Sequence, residues 1–168
     1  MKSTGEVYGS DVSADVAYLK ARLATEVPVA SAGGVYLTVR DEDKDGLVPI
    51  AEELSDLGFS LYATPGTADV LRAADVEVTT VYRINERKHP DALDLMRQGD
   101  ISFIVNVPTV SGGAVRDGNM MRRLAVELNI PFVTTIRGAR METAAICALI
   151  EKDIVPRKLE VHYDSKFL

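Results

Sequence analysis

From residue 34 onward, short β-rich runs alternate five times with segments of helical spacing, and few architectures accommodate that order. The runs are Val35-Tyr36-Leu37-Thr38-Val39, Phe59-Ser60-Leu61-Tyr62-Ala63, 77–82, 101–107 and 131–135. Between and after them lie 43–57, 68–74, 90–97, 119–128 and 140–151. The first of these carries Leu47, Ile50, Ala51, Leu54 and Leu57 at helical spacing and stops at Gly58. The third opens at Pro90 and closes at Gly99. This order predicts a three-layer α/β fold, a five-stranded mostly parallel sheet with helices on both faces. The run 101–107 is the most apolar, which suits a central strand. Sheets of this kind bind ligands at the carboxyl ends of their strands. Functional side chains are therefore expected just after Val39, Ala63, Val81, Val105 and Thr134.

The flanks read differently. Residues 6–13 are turn-rich, 14–26 predict one short helix, and Val27-Pro28-Val29-Ala30-Ser31-Ala32-Gly33-Gly34 has the small residues, proline and glycine pair of a linker. The expected organisation is a preceding stub and linker over 1–33, a compact body over 34–152 and a tail over 153–168. In the tail, Leu159-Glu160-Val161-His162-Tyr163 could add an edge strand.

Composition narrows the function classes. A formal net charge of −6 argues against nonspecific binding to nucleic acid or anionic membranes, though a local cationic pocket can exist within an acidic chain. No apolar stretch approaches the ~20 residues of a membrane span, and the N-terminus has no apolar core of the signal-peptide kind. The single cysteine, Cys147, lies in an apolar run and reads as a small buried hydrophobe, in keeping with a reducing, cytoplasmic setting. One cysteine and two distant histidines, His89 and His162, give no metal-ligand spacing. Neither a G-x-G-x-x-G nor a Walker A sequence occurs, nor a G-x-S-x-G. No cofactor is expected in this domain.

The strand ends carry the chemistry. The second run leads into Thr64-Pro65-Gly66-Thr67 and then a helix. A helix N-terminus offers free N–H groups and partial positive charge, glycine permits close approach, and two threonines add hydroxyls, a combination that suits phosphate. An ordinary capped turn, with Thr64 as N-cap and Pro65 at the first helical position, would use the same residues. After the first run, Lys44 stands at the start of a helix where the dipole disfavours a cation, and it could neutralise a phosphate held by the neighbouring loop. Asp41, Glu42 and Asp43 read more simply as dipole-compatible caps. Arg83, after the third run, is a candidate second phosphate contact, whereas Arg87 and Lys88 read equally well as solvated charges. His89 precedes a helix-opening proline and has no evident carboxylate partner by spacing. Asn106 follows the central run and can both donate to and accept from a sugar or base edge. Pro108 stands beside it.

These residues resemble a known pattern. Over 34–150 the chain is similar to the methylglyoxal-synthase-like domain. The resemblance rests on Asp41-Glu42-Asp43-Lys44, Ala63-Thr64-Pro65-Gly66-Thr67 through Leu71, Ile104-Val105-Asn106-Val107-Pro108, Asp117 through Arg122-Arg123 to Ala125, and Ile130-Pro131-Phe132-Val133-Thr134-Thr135. Met1-Lys2-Ser3-Thr4-Gly5-Glu6-Val7 looks like the end of the second ATP-grasp half of a carbamoyl-phosphate synthetase large subunit, followed by the same order of helix, linker and domain. The resemblance is therefore to the carboxy-terminal allosteric domain of that subunit.

It implies binding of a phosphorylated nucleotide, of the UMP or IMP class. Lys44, Thr64, Gly66 and Thr67 would hold the phosphate, Thr38 would lie beneath it, and Asn106 and Pro108 would lie toward ribose or base. Arg83 stands where the bacterial synthetases have lysine, which keeps the charge and changes its geometry. The stretches Asn85-Glu86-Arg87-Lys88-His89-Pro90-Asp91 and Pro108-Thr109-Val110-Ser111-Gly112-Gly113 depart from the family forms and leave effector identity and sign open.

The implied partners are the catalytic domains of the large subunit and the glutaminase subunit, with self-association as a homo-oligomer left open. The chain itself would not be an enzyme. Its parent would be the ATP-dependent, glutamine-hydrolysing ligase that makes carbamoyl phosphate for pyrimidine and arginine pathways. Whether the chain is an excised fragment or a separately encoded subunit is also open. Two other readings compete. A methylglyoxal synthase needs a carboxylate base and a histidine; by alignment His89 and Ala114 stand at those positions, leaving only Asp41 and Asp117. A docking or oligomerisation module would bind no effector at all.

Overall fold

The computed structural model describes residues 6–108, 113–152 and 154–155. The chain runs α1 (Ala14–Leu23), β1 (Gly34–Val39), α2 (Lys44–Asp56), β2 (Ser60–Ala63), α3 (Pro65–Ala73), β3 (Thr79–Thr80), α4 (Ala92–Gln98), β4 (Ile101–Val107), α5 (Gly113–Glu127), β5 (Phe132–Val133) and α6 (Ile136–Glu151). Short 3-10 turns at Asp41–Asp43 and Ile84–Glu86 lie between elements. The five strands form one all-parallel sheet in the order β3-β2-β1-β4-β5. The alternation in the sequence thus yields the expected three-layer α/β fold.

Strand side chains divide the core by their period of two. Val35, Leu37 and Val39 of β1, with Phe103, Val105 and Val107 of β4, pack against the apolar faces of α2, α3 and α6. Tyr36 of β1 and Ile104 of β4 face the other way, onto Leu93 and Met96 of α4 and Met121 and Ala125 of α5. β4 is buried along nearly its whole length, as its apolar composition requires. The outer strands β3 and β5 are only two residues long, much shorter than the runs that suggest them. An edge strand is held by one ladder only, and here each ladder spans two residues, Tyr62-Ala63 with Thr79-Thr80 and Ile104-Val105 with Phe132-Val133.

Helix starts show where local spacing misleads. α3 begins at Pro65, three residues before the apolar periodicity, because the proline pre-sets the first turn. α6 begins at Ile136, with Thr135 accepting from the Gly138 N–H at 3.0 Å, and Thr135 therefore caps a helix and does not extend β5. α4 is not opened by Pro90. Asp91 is its N-cap, accepting from Leu93 N and Asp94 N, while the Asp94 carboxylate accepts from Asp91 N in a capping box. The same Asp94 meets His89 Nδ1 at 2.5 Å, so His89 does have a carboxylate partner. Their separation of five residues spans the cap and is not a helical repeat. Cys147 also differs from expectation: it is partly exposed, and its thiol donates to Glu151 at 3.1 Å one turn along α6, which pushes its pKa up to about 11. The edge strand expected near 159–163 lies outside the described residues.

The segment before β1 is fastened to the body. α1 packs on α6 through Leu19, Ala145 and Ala148, all fully buried. Arg22 clamps the buried Glu142 of α6 with two bonds, Nε to Oε2 and Nη2 to Oε1, both 2.9 Å. The Tyr18 hydroxyl donates to the same carboxylate at 2.9 Å, and burial pushes its own pKa up to about 12. The remaining guanidinium hydrogens reach the Val27 and Pro28 carbonyls, which ties down the stretch that reads as a linker. Glu142 is 1% exposed and Arg22 15%.

Removing Arg22 leaves a buried carboxylate uncompensated. Arg22→Ala is expected to cost about 3–5 kcal/mol in urea unfolding. Glu142→Gln should cost less, because the surviving guanidinium is nearer solvent. Equal losses would contradict the burial asymmetry. His89 is held above its ordinary 6.5 mainly by its bond to Asp94. That contribution is present on the acid side and is lost as pH rises through the folded-state value. An NMR titration should therefore place His89 above 6.5 in the native chain, and nearer that value in Asp94→Asn.

Candidate functional site

Strand order reverses between β1 and β4, since the chain leaves β1 toward β2 and β3 and then returns to the other side of β1. Open α/β sheets have a crevice at such a point, outside the strand carboxyl ends. Here it is a cleft of about 280 Å³. All eight residues singled out in the sequence line it: Thr38, Lys44, Thr64, Gly66, Thr67, Arg83, Asn106 and Pro108.

The sheet register sets their positions. Thr38 on β1 is directly opposite Asn106 on β4, and Leu37 is opposite Ala63, which brings Thr38 beside Thr64 at the end of β2. The hydroxyls of Thr64 and Thr38 are 3.4 Å apart, and those of Thr64 and Thr67 3.3 Å. Thr64 is the N-cap residue of α3, yet its hydroxyl makes no capping bond and instead joins this hydroxyl cluster. The capped-turn alternative is therefore only half right: backbone and proline follow it, and the threonine side chain does not. Pro65 has no N–H, and the Thr67 and Ala68 N–H groups both reach the Thr64 carbonyl, which leaves the Gly66 N–H as the first-turn amide with no carbonyl a turn back.

Lys44 reaches the same spot from α2. Its side chain is 17% exposed, so it is not a solvated lysine. A Cβ added to Gly66 would stand 3.2 Å from Lys44 Nζ, and the bare glycine gives the ammonium its room. A cation thus sits against the positive end of a helix dipole, which is unfavourable unless negative charge is also present. Asp41 supplies some from the rim: its carboxylate bonds Lys44 at 2.6 Å while being 93% exposed, and the ammonium holds its pKa below the ordinary value. Arg83 lines the cleft from an exposed position after β3. Arg87 and Lys88 face solvent, with Lys88 Nζ 5.4 Å from the centre of the Tyr82 ring.

At the other end lies Asn106, 4% exposed, whose Oδ1 is buried without a hydrogen-bond partner among the described residues. A Cβ on Gly118 of α5 would come within 3.0 Å of that oxygen, so this mid-helix glycine makes space for the amide. Asp117 and Met121, one turn apart on α5, line the cleft beside it. Asp117 accepts from the Asn85 N–H at 3.3 Å, and burial raises its pKa above the ordinary value. Tyr36 lines the floor, two residues before Thr38 on the same face of β1. Burial raises its pKa too.

Tyr36, Ile84, Asn85, Asp117 and Met121 were not among the eight selected residues. Tyr36 could have been found from its alternation with Thr38, and Asp117 with Met121 from their i, i+4 spacing beside Gly118. Ile84 and Asn85 sit in a turn that carries no periodic signal. His89 does not line the cleft; it is 73% exposed and bonded to Asp94. With Asp91 and Asp94 it forms the one group of three close metal-ligand types among the described residues, and both carboxylates are engaged in capping α4. No helix among the described residues is long and apolar enough to cross a membrane.

Known proteins place the chain in a family and a fold. The sequence model of the MGS-like domain matches residues 46–134. The chain is 42% identical, over 92% of its length, to the carbamoyl phosphate synthase large chain, C-terminal section, of Methanopyrus kandleri. It is 43% identical over 89% of its length to the same-named protein of Methanocaldococcus jannaschii. It spans 28% and 24% of those two proteins, and 15% of the carbamoyl phosphate synthase large chain of Methanoculleus marisnigri, to which it is 39% identical. Among solved structures, a methylglyoxal synthase from Elizabethkingia anophelis superposes with a TM-score of 0.55 at 17% identity, covering 74% of this chain and 84% of that one. That likeness extends to the fold. The strand order, the cleft at its reversal point and the sequence match together place this chain in the MGS-like domain family.

Proposed function

We propose that this chain is a regulatory domain that senses a phosphorylated nucleotide of the UMP or IMP class and tunes a carbamoyl-phosphate synthase. The single observation that carries the reading is the Lys44 ammonium packed against Gly66 at the N-terminus of α3, an arrangement that a bound phosphate would stabilise. Thr64 and Thr67 add hydroxyl donors, and Arg83 adds a second cation at the rim. The unpartnered Asn106 oxygen at the other end of the cleft suits a hydroxyl or N–H of the ligand's sugar or base. The ~40%-identical relatives, both named as the C-terminal section of a carbamoyl phosphate synthase large chain, support that synthase as the enzyme concerned. Its catalytic domains and glutaminase subunit would then be the partners. Regulation follows from differential affinity: a ligand shifts a conformational equilibrium only by the difference between its affinities for the two states.

The cleft is better suited to sensing than to proton transfer. Asp41 is paired with Lys44, Asp117 is held by a backbone N–H, and His89 is bonded to Asp94 outside the cleft. Proton shuttling on a triose phosphate needs a free base and an acid aimed at one substrate.

Titration calorimetry with UMP, IMP and a wider nucleotide panel tests the reading. At least one phosphorylated compound should bind below about 1 mM, a modest affinity on the usual scale. Lys44→Ala should weaken that binding by about 1.5–3 kcal/mol and Thr64→Ala by about 0.5–1.5 kcal/mol. Unchanged binding in both variants would overturn the assignment. With dihydroxyacetone phosphate, the chain should form no methylglyoxal; clear turnover would replace a sensing role with a catalytic one.

A further inference from the structure

The three acidic residues ahead of Lys44 divide between two cations. Asp43 and Glu42 turn to Arg40, with carboxylate oxygens 2.5 and 3.6 Å from its Nε. Asp41 turns the other way and bonds Lys44 at 2.6 Å. It stands three residues back in the same tight turn, where its carbonyl accepts from the Lys44 N–H. Among the described residues, the Lys44 ammonium is the one partner of the Asp41 carboxylate. The pair is lopsided, since the lysine is largely buried and the aspartate almost wholly exposed.

The carboxylate therefore hangs at the rim of the cleft, which it lines together with Arg83. Among the described residues Arg83 makes no ion pair, yet its charge joins that of Lys44 in keeping Asp41 ionised. Asp41 thus draws on both cations that a phosphate in this cleft would use. Two anions drawn to one ammonium repel each other. The tether of three residues gives the carboxylate a high effective concentration in that contest. Its exposure makes the contact weak enough to release, because an ion pair open to water contributes little. A phosphate monoester brings nearly two charges and three acceptor oxygens, and can engage Lys44, Arg83 and the Thr64 and Thr67 hydroxyls together.

We propose that Asp41 is a built-in competitor for the ligand of this cleft: its carboxylate holds Lys44 until a phosphate displaces it, and so sets the affinity below what the cations and hydroxyls alone would give. This rests on the phosphate reading of the cleft and adds to it a residue that opposes binding. A residue that merely oriented Lys44 for the ligand would act in the opposite direction, since its removal would weaken binding.

Calorimetric titration with UMP, IMP and inorganic phosphate, on the native chain and on Asp41→Ala and Glu42→Ala, tests it. Asp41→Ala should bind the tightest of these compounds about three- to tenfold more tightly than the native chain does, the scale of one exposed ion pair together with the repulsion removed. Glu42→Ala takes an equal charge from the same turn, but one directed at Arg40, and should change the affinity by less than about twofold. Both positions are exposed, and circular dichroism should report an intact fold in each variant. Binding by Asp41→Ala where the native chain binds nothing would also support the competition. Weaker or unchanged binding in Asp41→Ala overturns the proposal, as does equal tightening in Glu42→Ala, and both results leave the phosphate reading standing. Absence of binding in every form overturns the two together.

Discussion

The parallel pairing of β1 with β4 is the constraint on which the rest of the molecule depends. These two strands are central, and both faces of each are covered. Their pairing sets Thr38 against Asn106, and the reversal of strand order between them opens the cleft. A register slip of one residue would turn Thr38 and Asn106 into the apolar layer beneath α2 and α6 and put Val39 and Val107 in the polar positions they leave. Burial of alternate residues on both faces opposes that slip, so the packing of the core and the placement of the polar pair are one and the same requirement.

Around this frame, charge is arranged in two contrasting ways. Glu142 is almost fully buried and fully satisfied, with Arg22 and Tyr18 supplying its donors. Such a pair adds little net stability over an apolar one but penalises any arrangement that separates α1 from α6. The cleft is the opposite case. Among the described residues, Lys44 is largely buried at the positive end of α3 with only an exposed carboxylate to balance it, and Asn106 keeps an unpaired oxygen. Unpaired polar groups of this sort are rare in folded cores and concentrate where a protein meets something else. The two arrangements lie on packed neighbours: α2, which begins at Lys44, lies against α6, which carries Glu142, and a Cβ on Gly46 would stand 3.3 Å from Ile136 of α6.

Much of this could be read from residues in order. The alternation of strand and helix spacing pointed to a layered α/β sheet, because side-chain period and turn residues are local properties. Thr64 to Thr67, Lys44, Arg83, Asn106 and Pro108 were found by one rule, that ligands meet the carboxyl ends of parallel strands. What escaped notice did so for definite reasons. The Arg22–Glu142 pair joins residues 120 positions apart, and no window along the chain contains both. The cap at Asp91 was hidden behind Pro90, because proline statistics outweighed a capping box whose partner, Asp94, is equally able to bind His89. The use of Gly118 shows only once Asn106 is placed beside it and needs its missing side chain.

The sequence by itself therefore determined the layers, the burial of β4 (though β1, not β4, holds the middle of the sheet) and the kinds of side chain at each strand end, since all of these follow from periodicity and from the chemistry of single residues. Tertiary structure alone decided how those ends meet: that strand order reverses between β1 and β4, that Lys44 rests on Gly66, that Thr64 spends its hydroxyl on the cluster and not on a cap, and that the apparent linker is held by Arg22. The physical reason is that distance along the chain says nothing about distance through the core, and a charge or hydroxyl acquires its role only from the partners that packing brings within reach.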